Sequence, residues 1–220
     1  PQLPDPLNAL VSRAEELAAL LDAPPSAAGD SAAGDVPRPE HPRPQLQRPA
    51  WPSLNGTWQF EIDQGDSGRE RGLLERELNS TITVPFAPET EASGIGNRDF
   101  LNAVWYRRTV LVPTDWEGLR PILRFEAVDH DATVWADGVE VARHRGGFTP
   151  FAADLSDVPG VGPGSEVEIV VRARDPHDVP QARGKQSTWY HATHASYHRT
   201  TGIWQSVWLE GVPAGEIRAL

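Results

Sequence analysis

From Trp51 onward, apolar and polar residues alternate in short runs broken by glycine, proline and aspartate, the pattern of strands with one buried face. In GTWQFEID, Trp58 and Phe60 share a face. STITV is followed by Pro85, which ends a strand or confines it to an edge. AVWYRRTVLVP predicts a longer strand stopped at Pro113, with Arg107 and Arg108 on opposite faces, one paired with a carboxylate and the other solvated. PILRFEAV sets Leu123, Phe125 and Ala127 against Ile122, Arg124 and Glu126. DATVWADGVEVARHR predicts a hairpin, because Asp137-Gly138 suits the positive-φ positions of a tight turn. SEVEIVVRARD opposes Val167, Ile169 and Val171 to Glu166, Glu168 and Val170. In GGFTPF, Gly146 and Gly147 supply a bend, and Phe148 and Phe151 supply packing. Roughly eight to ten strands with no convincing helix among them predict an all-β fold, a β-sandwich of the jelly-roll kind.

GIWQSVWLEG closes the series and breaks the alternation. As one strand it places Ile203, Gln205, Val207 and Leu209 on one face and Trp204, Ser206, Trp208 and Glu210 on the other. If the first face fills the core, the two indoles need a cover of their own, worth ~1.5–3 kcal/mol for each large side chain fully buried. The N-terminal segment, a long polar loop or a neighbouring domain is expected to provide it.

Residues 1–50 follow a different pattern. Leu7, Leu10, Val11, Ala14, Leu17, Ala18 and Leu21 recur at helical spacing, with Asp5 as N-cap and Pro6 in the first turn, so a short amphipathic helix is expected within residues 1–22. Residues 23–50 are rich in Pro, Ala, Gly and Ser and are expected to form a disordered linker. The sandwich is expected over 51–213, and AGEIRAL (214–220) reads as the first strand of a following domain or a tail.

Charge and composition narrow the function. With 31 acidic residues against 20 basic ones, a net charge of -11, nucleic acid has no electrostatic support as a partner. No apolar run of about 18 residues is present to span a membrane as a helix. No basic-then-apolar leader opens the chain, and there is no cysteine, so a cytoplasmic, reducing location is expected and thiol chemistry is excluded. The absence of methionine suggests a processed or excised chain.

LNGTWQFEID, VPFAPE, VWYRRTVLVP, ILRFEAVDHDATVWADGVEVARHRGGFTPFAADLSD and RTTGIWQSVWLEGV occur in one order, and together they resemble the N-terminal sugar-binding jelly-roll domain of glycoside hydrolase family 2, which includes β-galactosidases, β-glucuronidases and β-mannosidases. The resemblance implies a non-catalytic domain that supports a (β/α)8 barrel through an immunoglobulin-like sandwich and lends loop residues to a β-glycoside site. The barrel of such enzymes carries the acid/base and nucleophilic glutamates. Neither is expected in this chain, so no catalytic residue is assigned, and no cofactor is implied. An autonomous carbohydrate-binding module and a purely structural spacer are the alternatives. Asp129 and Asp131 are two apart, but they are expected to form a solvated turn before a strand rather than the close carboxylate pair of a retaining mechanism.

DPHDVPQARGKQSTWYHATHASYHR, residues 175–199, is too long and irregular for a hairpin loop, and its aromatics argue against disorder. Aromatic faces stack on the C–H side of sugar rings, while charged and amide groups hydrogen-bond hydroxyls. The candidate sugar-contacting residues are Asp175, Arg183, Lys185, Gln186, Ser196, Tyr197 and Arg199; loop packing and inter-domain contact is the competing role. Arg199 is also placed as an anchor that donates to loop carbonyls. The resemblance to the better-known β-galactosidases and β-glucuronidases implies a substrate-contacting aspartate six residues before the Gly-Ile pair; this chain has Ser196 there, which leaves the sugar unassigned. His191, His194 and His198 are spaced suggestively, but without a carboxylate or thiol on a rigid element no metal site is expected.

Overall fold

The computed structural model describes residues 36–193 and 195–216. The predicted N-terminal helix, the first part of the predicted linker and residues 217–220 lie outside that set. In chain order the strands are β1 (Gly56–Ile62), β2 (Ser80–Val84), β3 (Ala103–Leu111), β4 (Arg120–Phe125), β5 (Val128–Asp129), β6 (Asp131–Ala136), β7 (Val139–Arg145), β8 (Phe151–Asp154), β9 (Glu166–Arg174), β10 (Gly202–Ile203) and β11 (Val207–Val212). They form a six-stranded sheet ordered β2-β1-β3-β9-β6-β7, a three-stranded sheet ordered β11-β4-β8, and the short pair β10-β5. Every pairing within the sheets is antiparallel, and the whole is a jelly-roll sandwich.

Local sequence explains most of these elements. Pro85 follows the last residue of β2, an edge strand. Ala136 pairs with Val139 across Asp137 (φ 45°) and Gly138 (φ 77°), so β6 and β7 meet in the two-residue turn that only such φ values permit. In β9, Val167, Ile169, Val171 and Ala173 all enter the core between the sheets, where they meet Trp58, Phe60, Leu123, Phe125, Val207 and Leu209.

Each sheet also has a covered outer face. On the six-stranded sheet, Trp105 stacks on Trp135 with centroids 5.6 Å apart, and Leu73, Leu78 and Val170 join them in a second apolar cluster. The 64–79 excursion between β1 and β2 closes over it. Asp63 fixes that excursion by accepting from the Gly68 N–H (2.7 Å), the Ser67 N–H (3.0 Å) and the Trp105 indole (3.1 Å). Arg107 is buried in the same layer, donating to the Leu73 and Leu74 carbonyls and pairing with Glu168. Arg108 departs from the solvated role expected of the second arginine: it lies 5.8 Å over Trp58 and donates to the Leu54 and Asn55 carbonyls. Those carbonyls lie outside the strand ladder, which is why a charged group is drawn in.

On the three-stranded sheet the cover is residues 36–53. The composition of residues 36–50 suggests a disordered linker, yet they make specific contacts here. Arg48 pairs with Glu210 (2.8 Å) and Arg43 with Glu126 (2.9 Å). The His41 ring packs edge-on against Trp51 (4.6 Å) and Trp208 (5.8 Å). Ser53 bridges to Trp208, and Leu209 and Gly211 donate to the Pro52 and Ala50 carbonyls. Trp208 is 1% exposed under this strap, outside the inter-sheet core.

The predicted single closing strand divides in two. β10 pairs with β5, whereas β11 pairs with β4 in another sheet. Side chains replace the ladder at the break. The Tyr106 hydroxyl accepts from Ile203 N–H (3.1 Å), and Asn55 Oδ1 accepts from Val207 N–H (3.0 Å) while its Nδ2 donates to Ser206 Oγ (3.1 Å). Trp204 therefore does not share a strand face with Trp208. Its indole donates to the Gly147 carbonyl (2.8 Å) and its ring meets the edge of Phe148.

Candidate functional site

β9 ends at Arg174 and β10 begins at Gly202, and the segment between them folds over one end of the sandwich. Its foundation is a buried polar network. Asp175 accepts from Gln181, from Arg183 (3.3 Å) and from the Thr201 hydroxyl (3.4 Å). Gln186 is bonded at both ends, donating to Asp129 Oδ2 (2.6 Å) and accepting from Thr200 N–H (2.9 Å). Thr201 N–H donates to Glu89 Oε2 (3.2 Å). Asp129, Glu89, Asp175, Gln186 and Thr201 are all buried.

Burial sets the electrostatics. Removal from water pushes the Glu89 carboxyl up to about 7, only partly opposed by its bonds to Thr201. Burial also pushes Asp129 up to about 7, with the nearby Asp175 charge acting the same way and the Gln186 bond opposing. Burial lowers His130, next in the chain. Asp129 is therefore not part of a solvated turn. It is a buried acid, and its carboxyl group lies where a Cβ on Gly147 would fall, 2.4 Å from Cγ, so only glycine fits the bend there.

The rest of the segment is held by short local bonds. Lys185 and Tyr197 lie on adjoining stretches: Tyr197 N–H donates to the Lys185 carbonyl (3.0 Å) and Ser187 N–H to the Tyr197 carbonyl (2.8 Å). Arg183 donates to the Pro176 carbonyl (2.5 Å) as well as to Asp175. Arg199 is buried, donating to the Trp189 carbonyl (2.6 Å) and to the Arg98 carbonyl, with its guanidinium 3.9 Å over the Phe100 ring. Ser196 closes a turn, its Oγ accepting from Thr193 N–H (2.8 Å) and donating to the Thr193 carbonyl (2.6 Å).

The predicted residues therefore divide by what is left free. Asp175, Arg183 and Gln186 spend their polar groups inside the protein, Arg199 spends its two Nη groups there, and Ser196 spends its hydroxyl on its own turn. Lys185 and Tyr197 remain exposed, as do Trp189 (73%) and Tyr190 (60%), the most exposed large apolar side chains among the described residues, with the Tyr190 ring meeting Phe100 edge-on at 4.9 Å. The arrangement is a rigid base bearing an ammonium group and aromatic faces, suited to stacking and hydrogen bonding with a sugar ring rather than to bond cleavage. His191 and His198 are exposed, and His194 lies outside the described residues. Glu89 and Thr201 escape sequence reasoning because their roles depend on contacts distant in the chain. Asp129 had a local signal, the neighbouring aspartates, but that pattern points to solvent.

Comparison with known proteins gives a consistent picture. The family model for glycosyl hydrolases family 2, sugar binding domain, matches residues 51–213. A β-glucuronidase of Paenibacillus borealis is 39% identical over 122 residues, covering 54% of this chain and 20% of the relative. The Sus scrofa β-glucuronidase is 34% identical over 142 residues, covering 58% and 22%. Among solved structures, Ruminococcus gnavus β-glucuronidase superposes with a TM-score of 0.60 at 25% identity, covering 75% of this chain and 29% of that one. An uncultured Clostridium sp. β-glucuronidase gives 0.59 at 27% identity, covering 77% and 30%. The matched region spans about a fifth of the length of these curated relatives.

Proposed function

The chain belongs to glycosyl hydrolases family 2 through its sugar binding domain, and from that premise we propose that it serves a β-glycosidase by supporting a catalytic barrel and lending the 176–200 loop to a shared sugar site. The immunoglobulin-like and barrel domains of such an enzyme are its partners in this reading, and a β-glycoside is the ligand. The names of the similar proteins favour a β-glucuronide as the first substrate to try. Ser196 spends its hydroxyl on its own turn, so sugar recognition falls to other groups: the Lys185 ammonium and the faces of Trp189, Tyr190 and Tyr197.

One observation carries the proposal. The loop is pinned from below by buried carboxylates and a glutamine, while its aromatic rings and its lysine are left to solvent. A spacer gains nothing from fixing exposed aromatics, whereas a binding loop gains pre-organisation. The test is steady-state kinetics of the full-length enzyme with Lys185→Ala and Trp189→Ala. Each is expected to lower kcat/KM on aryl β-glycosides by about tenfold or more, the loss of one charge-assisted bond or one stacking face. Turnover unchanged in both variants would reduce the domain to a spacer.

A further inference from the structure

Beside the loop base, where β1 ends and β3 begins, lies a cleft of about 190 Å³. Its size is below the roughly 300–1,000 Å³ of drug-sized sites, which scales it to a single sugar ring. The walls are fixed. Gln64 donates to the Phe100 carbonyl (2.5 Å), its carbonyl oxygens accept from the Asn102 side chain (3.0 Å) and backbone (3.4 Å), and Asp66 pairs with Arg174 Nε (2.6 Å). His177 packs its ring 4.4 Å from Phe100. What these bonds leave over faces the cleft's own chemistry: the Arg174 Nη donors on a side chain 41% exposed, Asn102 Oδ1, the His177 ring nitrogens and the whole Asp178 carboxylate, which takes no hydrogen bond or ion pair among the described residues.

We propose that this cleft is a second carbohydrate site, selective for a neutral pyranose. A carboxylate beside an amide oxygen accepts from two adjacent ring hydroxyls, and the guanidinium donates to a third oxygen; a vicinal diol together with the next oxygen of the same pyranose meets all three at once. Asp66 is held between Arg172 and Arg174, which leaves Asp178 as the charge that repels a sugar acid, on a chain of net charge -11. The cleft therefore selects differently from a site built around Lys185, and it does not rest on the loop's role in catalysis.

The test is amide NMR of the full 220-residue chain titrated separately with methyl β-glucoside, methyl β-galactoside and glucuronic acid. A neutral glycoside is expected to give saturable shifts at Asn102, His177 and Asp178. Asp178→Ala is expected to weaken that binding about tenfold or more, with the melting temperature unchanged, because the side chain holds nothing else in place. Asp178→Asn, which keeps one acceptor, is expected to fall between. No saturable shift at the cleft with either neutral glycoside, shifts confined to 189–197, unaltered affinity in Asp178→Ala, or equal affinity for glucuronic acid would each overturn the assignment.

Discussion

Replacing Gln186 with leucine cuts two side-chain bonds, one that ties the loop to the sandwich and one that ties it to the loop's own end. The first, to Asp129 at 2.6 Å, is a bond to a buried acid and is worth about 1.5–3 kcal/mol when that acid is ionised. The second leaves the half-buried Thr200 N–H without its 2.9 Å acceptor, at a cost of about 1 kcal/mol. The sum is a loss of about 3 kcal/mol on the alkaline side. Asp129 has its folded pKa raised to about 7, so on the acid side it is already protonated in the native state and the first bond is an ordinary neutral one, worth about 0.5–1.5 kcal/mol. Removing the donor also removes the one hydrogen bond that opposes burial, which makes ionisation harder still. The destabilisation by Gln186→Leu is thus expected to be about 1–2 kcal/mol larger near pH 8 than near pH 5.5. Urea unfolding followed by tryptophan fluorescence at the two pH values, with wild type alongside, measures the difference directly. Equal losses at both pH values, or a larger loss in acid, would refute the claim that Gln186 stabilises an ionised buried Asp129.

Other expectations follow from the same contacts. Gly147→Ala puts a methyl group 2.4 Å from Asp129 Cγ and is expected to cost about 1–3 kcal/mol, read as a lowered thermal midpoint. Trp208→Ala empties the space under the N-terminal strap and should cost about 3–5 kcal/mol in chemical unfolding; a cost below about 1 kcal/mol would mean that the strap buries nothing of consequence. The wild-type chain should gain stability as pH falls from about 8 to about 6.5. Glu89 and Asp129 both have raised folded pKa values, so their contribution is complete below the ordinary carboxylate range and is lost as pH rises through about 7, at up to about 1.4 kcal/mol per pH unit each. His41 and His130 have lowered values and work the other way at lower pH, so the gain should level off there. Glu89→Gln should reduce the gain between about pH 7.5 and about pH 6.5, where Glu89 takes up its proton in the folded state.

Much of the sandwich was legible because its rules are local. The alternation of β1 and β9, the proline after β2 and the Asp137-Gly138 turn each need only a few neighbouring residues to be read, and the ordered phrases identified the family. The failures share a cause in distance along the chain. Asn55 and Tyr106 divide the final strand from 152 and 97 residues away, and no pattern within GIWQSVWLEG announces it. Residues 36–50 have the composition of a linker, but a few side chains, His41, Arg43 and Arg48, suffice to fasten them to Trp208, Glu126 and Glu210. Among the candidate site residues, type alone placed Asp175, Gln186 and Arg199 with Lys185 and Tyr197. Burial separates them, and burial is set by what folds over Glu89 and Asp129.

The central claim, that the loop's exposed groups touch the sugar of the assembled enzyme, is tested most directly by kcat/KM of the full-length Lys185→Ala and Trp189→Ala variants on aryl β-glucuronides and their neutral counterparts. A fall of about tenfold or more on at least one substrate class, with unfolding unchanged, is expected. Wild-type kcat/KM in both variants on every β-glycoside tried would contradict it.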